Sequence, residues 1–392
     1  MFPQHDADFA LATLGDLKIL DLSEGLAGPL CARFLGDFGA NVIKVELPEG
    51  DAARRWEPFA KGVDAQEASL IFQLANVNKR GVTVDYRTAD GIAALRVLIA
   101  DADIVVESCK PGMLAELGLG YDVLRADNPR LILISITPFG QTGPYRDWQG
   151  EEIVTYALSG IMSISGLSTA EPLKHGGMQS QYEGALSAAV AASVAIFTRD
   201  LTGEGQHIDV SLQDVVASTL VIQQPFYSWA GAVQGRRQPD GSAYGQVQPC
   251  KDGYFIWQTG GGAEWQDIAA FFDREELKEA RFETLDGRQR HAGDLDRNVL
   301  EATQDRTMLE LFRTASEDYR MLFGIAQEPK DIAACEHLRA RDFFETAETS
   351  AGPQTMPFRL FSMTEGGAVF RCAAPRLGEH NDLLLAPAGS QQ

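Results

Sequence analysis

What this chain lacks narrows the possibilities first. Its five cysteines, Cys31, Cys109, Cys250, Cys335 and Cys372, are odd in number and widely scattered. That pattern excludes a disulfide framework and fits reduced, buried thiols. No two of them sit at zinc-ligand spacing. Positive charge is also scarce: 34 Lys and Arg stand against 55 Asp and Glu, a formal net charge of −21. Nucleic acid is therefore not an expected partner, because phosphate backbones are held by clustered basic residues. No uninterrupted apolar run reaches the roughly 18 residues of a membrane span, and the N-terminus lacks the basic-then-apolar order of a signal peptide. The expectation is a cytoplasmic protein with no membrane partner.

What is present is a recurring α/β pattern. Residues 17–22 form a short apolar strand that runs into Ser23-Glu24-Gly25-Leu26-Ala27-Gly28-Pro29, a glycine-bearing turn ahead of a helix. Such a turn can offer backbone N–H groups to a phosphate. A β-branched segment, Asn41–Glu46, follows, which makes a βαβ unit. At 392 residues two domains are expected. Helix and strand patterns alternate to about Asp214, predicting a large, doubly wound, Rossmann-like parallel-sheet domain over residues 1–224. Charged helical stretches and a strand at Gly253–Gln258 predict a smaller α+β domain over 225–330. Tyr156, Trp229 and Trp257 could line an aromatic pocket, but ordinary core packing is the expectation for each.

Further segments carry a resemblance. Residues 76–85 (Asn-Val-Asn-Lys-Arg-Gly-Val-Thr-Val-Asp), 103–112, 134–145, 202–211 and the closing Ala374-Pro375-Arg376-Leu377-Gly378-Glu379-His380, together with the first unit, occur in an order that resembles the family III CoA-transferases. This group includes formyl-CoA transferase, carnitine CoA-transferase and α-methylacyl-CoA racemase. The resemblance implies that residues 331–392 return to the large domain, and that two protomers interlock like linked rings. It also implies a coenzyme A thioester as substrate, with no covalently bound cofactor. CoA would pass along Gly25, Ala27 and Val84, beneath a glycine-rich cover at Gly260, Gly261 and Gly262.

The family's chemistry is covalent. An aspartate attacks the acyl-CoA, and CoA opens the resulting anhydride to give an aspartyl-CoA thioester. Counting back from the alanine-rich stretch at 185–192 places that aspartate at Ser180, or at Gln181 if the loop differs by one, and neither residue is a carboxylate. Two carboxylates lie nearby. Glu183 is displaced by two or three positions, which should turn it away. Glu152, beside Glu151, falls where relatives keep an acidic active-site residue, although the pair could simply complement a helix dipole. The racemase branch needs a histidine that would fall at Glu151 and the same missing aspartate. Three basic CoA contacts of the formyl-CoA transferase pattern align with Leu47, Glu116 and Thr137, leaving Lys44, Lys110 and Arg146 as possible compensation. The expected role is a noncatalytic subunit of a heteromeric CoA-transferase, resembling the benzylsuccinate type, paired with an active homologous chain. The alternative is an active homodimeric transferase, isomerase or lyase that uses a relocated carboxylate. A pure binding protein using the old cleft is a third reading.

Overall fold

The computed structural model describes residues 13–236, 247–259, 262–349 and 352–385. The chain divides into two compact units. The first comprises Met1–Ser165, Pro172–Gly235 and Arg339–Gln392; the second comprises Gly166–Glu171 and Arg236–Leu338.

In the first unit, six strands form one sheet: β1 (Lys18–Asp21), β2 (Asn41–Glu46), β3 (Lys79–Thr83), β4 (Ile104–Glu107), β5 (Ile132–Thr137) and β6 (His207–Ser211). Their spatial order is β3-β2-β1-β4-β5-β6 and every pairing is parallel. Strands β2, β4 and β5 are buried along their whole length; β4 and β5 are therefore largely apolar on both faces, while β2 also buries Lys44 and Glu46 in ion pairs. Chain order reverses between β1 and β4, so a crevice opens at their C-terminal ends. There the Glu24 N–H donates to Ser108 Oγ at 2.8 Å, tying the turn after β1 to the turn after β4.

Helix α1 (Ala27–Asp37) follows β1, and a short helix α2 (Glu152–Leu158) follows β5. Helix α3 (Gln179–Thr202) then runs for 24 residues. Its Ala185, Ala188, Ala192 and Ala195 repeat every three or four positions and are at most 1% exposed, in one core with Leu30, Cys31 and Leu35 of α1. Averaged over 18 residues, α3 reaches the hydropathy of a membrane span. Its alanine face is nevertheless sealed in the core. The other face carries Val190, Val194, Phe197 and Leu201, each 59–73% exposed.

The C-terminal stretch belongs to this first unit. It covers the outer edge of β3: the Thr83 N–H donates to Asn381 Oδ1 at 2.9 Å, and the His380 N–H to the Gly81 carbonyl at 2.9 Å. An antiparallel hairpin, Phe344–Thr349 with Gly352–Pro357, precedes it.

The second unit holds a three-stranded antiparallel sheet, Gln248–Cys250, Gly253–Gln258 and Leu322–Ile325. Its core is aromatic. Phe255, Trp257, Trp265, Phe271, Phe272 and Phe282 are buried together, and Trp257 Nε1 donates to Gln248 Oε1 at 2.7 Å. Tyr156, in the first unit, is also buried. Trp229 is not: it is 90% exposed, contrary to the core packing expected of it.

Candidate active site

The turn after β1 rests on a buried ionic network. Asp21 Oδ2 accepts from Lys79 Nζ at 2.8 Å, and Lys44 Nζ donates to Asp51 Oδ2 at 2.8 Å and to the Ser23 carbonyl. These four charged side chains are completely buried. Burial pushes the Asp21 carboxyl up, but Lys44 and Lys79 together outweigh it and hold it below the usual range. Lys44 is therefore part of the foundation and is not available to a CoA phosphate.

The turn's own N–H groups are largely occupied. Besides Glu24, Gly25 donates to Asp51 Oδ1 at 2.9 Å, and Ala27 donates to Gln181 Oε1 at 3.3 Å. The sequence suggests a phosphate cradle here, yet three of its donors are satisfied by side chains of the same chain. Gly25 takes φ +83°, in the left-handed region. Gly28 is needed for a different reason: a Cβ there would fall 2.3 Å from Ser23 Cβ and Oγ. Gly28→Ala is expected to lose roughly 2–3 kcal/mol, measured by denaturant unfolding, and Ser23→Gly should recover part of that loss.

The sequence places the reacting carboxylate at residue 180, or at 181 if the loop differs by one. Ser180 lies in the first turn of α3 and is 0% exposed. Its Oγ donates to Glu152 Oε2 and accepts from Thr155 Oγ1 at 3.1 Å, while its N–H donates to Glu152 Oε1 at 3.2 Å. Lys174 Nζ sits 3.4 Å from the same Glu152 oxygen. Glu152 is thus neutralised and pinned, and Glu151, at the start of α2, makes no side-chain cap. Gln181 is spent on α1.

Glu183 differs from the expectation. Because α3 already begins at Gln179, Glu183 lies three helical positions after Ser180, about 60° around the helix and on the same side. It is not turned away. Its Oε2 is buried without a hydrogen-bond partner among the described residues. Burial first, and then the charge of Glu152, raise its carboxyl above the usual range, with His175 pulling the other way. The same two glutamates, after burial, push the Tyr156 hydroxyl up. The sequence reading missed Thr155, Lys174 and His175; the only signal was a Lys-His pair just ahead of Gly176-Gly177-Met178.

Beside this cluster is a cavity of about 520 Å³ at the ends of β4 and β5, lined by Cys109, Lys110, Thr137, Arg146, Trp148 and Glu151 among others. Lys110 and Arg146 are thus the basic side chains on its wall. Leu47 is partly buried, Glu116 is exposed, and Thr137 lies almost wholly inside. Burial drives the Cys109 thiol well above its ordinary value, so it is not a nucleophile. Val84 packs in the core with Leu20 and Leu22. Gly262 is exposed, at φ +106°. Gly260 and Gly261 lie outside the described residues.

A 3-2-1-4-5-6 parallel sheet, with its order reversing between β1 and β4, defines a doubly wound α/β protein. The model of CoA-transferase family III matches residues 14–381, and the chain belongs to that family. It is 33% identical to the succinate–glutarate CoA-transferase of Agrobacterium fabrum, with 95% of each chain covered. It is 31% identical to subunit BbsE of the succinyl-CoA:(R)-benzylsuccinate CoA-transferase of Thauera aromatica, covering 95% of this chain and 93% of that one. A CAIB/BAIF family protein from Brucella suis has a similar structure, with TM-score 0.87 and 31% identity over 95% of this chain and 98% of the other.

Proposed function

We propose that this chain is a noncatalytic subunit of a cytoplasmic heteromeric CoA-transferase whose substrates are an acyl-CoA and a carboxylic acid. The observation that carries the reading is Ser180. Of the two positions expected for the aspartate, Ser180 is a hydroxyl with no exposed surface bonded to Glu152 and Thr155, and Gln181 is an amide bonded to the Ala27 N–H; neither is a carboxylate. Glu152 is held by Lys174, and burial together with the charge of Glu152 raises the Glu183 carboxyl above its usual range. Two similar chains, benzylsuccinate BbsE and the L-malate CoA-transferase beta subunit of Chloroflexus aurantiacus, are by name subunits. The apolar face of α3 supports a partner of the same fold, wound around this chain as an interlocked pair.

The test is co-expression with a homologous chain that carries aspartate at this position. The tagged chain should retain the homologue through purification, and only the pair should transfer CoA from succinyl-CoA. Turnover by this chain alone would overturn the proposal. One observation favours a second reading, an active homodimer: Glu183 faces the same way as Ser180 and has a free oxygen. Under that reading the isolated chain turns over and Glu183→Gln abolishes it.

A further inference from the structure

We propose that the opposite, N-terminal edge of the parallel sheet holds a second binding site, built for a small anion that presents several oxygens on one phosphate or carboxylate group. Strand β2 begins at Asn41 and β3 at Lys79, and both residues line a cavity of about 530 Å³ closed by the C-terminal stretch. The strands are parallel and five or six residues long, so this cavity lies roughly 15–20 Å from the crevice at their other ends. It is not an extension of the CoA cleft.

Three residues with donor groups line it. Arg80 lines the cavity, and its Nη1 is buried without a hydrogen-bond partner among the described residues. A guanidinium nitrogen left unsatisfied in a protein interior is rare and costly, so the space beside it is suited to an acceptor. His380 supplies the second donor. Its Nδ1 accepts from the Gly81 N–H at 3.1 Å, which places the ring proton on Nε2. Burial, together with the charge of Arg80, keeps this imidazole below its ordinary pKa. The neutral ring can still donate that proton. Arg376, exposed at the rim, is the third.

The other charged groups on the wall leave the balance positive. Arg371 adds a fixed charge but spends its two terminal nitrogens on the carbonyls of Gly36, Gly39 and Ala40, at the end of α1. Lys79 is tied to Asp21. Glu348 and Glu379 oppose them; both are exposed, and Glu379 Oε2 accepts from the Arg376 N–H at 2.8 Å. Planar guanidinium forks match phosphate and carboxylate oxygens in pairs, and this sets the ligand class.

The inference does not depend on whether the chain is catalytic. The experiment is calorimetric titration of the full chain with inorganic phosphate, and separately with succinate, at constant ionic strength. Saturable one-to-one binding is expected, with Arg376→Gln weakening it at least tenfold and Arg80→Gln at least as much. The stronger of the two anions identifies the head group. Arg376 is exposed, so its substitution keeps the test valid if Arg80→Gln does not fold. Lys110→Gln with Arg146→Gln, in the other cavity, should leave the affinity unchanged. No saturable binding of either anion by the wild type would show that water alone satisfies Arg80. Binding that persists in Arg376→Gln, or that is lost in the Lys110 and Arg146 variant, would equally overturn the proposal.

Discussion

Ser180→Asp is expected to yield a less stable protein and no transferase activity. The new carboxylate would enter a fully buried position whose neighbours are already the two oxygens of Glu152. It would lose the hydroxyl's donated bond and gain a like charge. A loss of about 3 kcal/mol is expected, of the order found when a buried polar pairing is left uncompensated. That corresponds to roughly 4–5 °C in the midpoint of thermal unfolding. The pH dependence fixes the cause. An aspartate pressed against Glu152 has its folded pKa raised above its unfolded value, so the folded state holds the extra proton over that interval. Stability relative to wild type should be best preserved below about pH 4 and should fall as pH rises through the raised pKa. Adding Glu152→Gln should recover much of the loss, because an amide can donate where the carboxylate repels. A gap indifferent to pH, or turnover in the single variant, would refute this account and with it the reading of Ser180 as an eroded position.

Asp21→Asn is expected to be the most destabilising single change of charge in the first unit. Asp21 lies 2.8 Å from Lys79 and 3.9 Å from Lys44, with all three side chains wholly buried. Its loss leaves two interior ammonium groups with Asp51 as the one directly paired carboxylate among the described residues, and Glu46 farther off in its own pair with Arg54. Removing one partner from such a cluster costs about 3–5 kcal/mol. Wild-type Asp21 has a depressed folded pKa, so its contribution is present above about pH 4 and is lost as pH falls through that lower value. The Arg87–Glu49 pair provides the contrast. Its charged atoms approach to 2.6 Å, yet both side chains are about half exposed. Arg87→Gln should leave the unfolding midpoint almost unchanged, because solvent screens an exposed pair. Chemical denaturation of both variants separates the cases, and similar midpoints would show that the buried network does not hold the turn after β1.

The parallel sheet was legible because its central strands are buried on both faces. Runs such as Ile132–Thr137 and Asn41–Glu46 announce themselves by β-branched residues and by the turns that bound them. Family membership was legible because its motifs are local strings. The site was legible only in outline. Ser180, Gln181 and Glu152 were placed together by counting, but the direction of Glu183 depends on where α3 begins. Propensity does not reveal that Gln179 and Ser180 are already helical. The occupied N–H groups at Gly25 and Ala27 were hidden for another reason: their acceptors, Asp51 and Gln181, are 26 and 154 residues away. Trp229 misled because a large aromatic residue is ordinarily core, whereas a surface awaiting a partner uses the same residue types.

The closure of β3 by Asn381 has a consequence in time. The two bonded residues are separated by 298 positions. At a bacterial-to-eukaryotic synthesis rate of about 5–20 residues per second, roughly 15–60 s pass between the emergence of Thr83 and that of its cap. Throughout that interval β3 presents an uncovered strand edge, the kind of surface that pairs with whatever passes. A nascent chain on the ribosome therefore carries this open edge until the segment around Asn381 has been made.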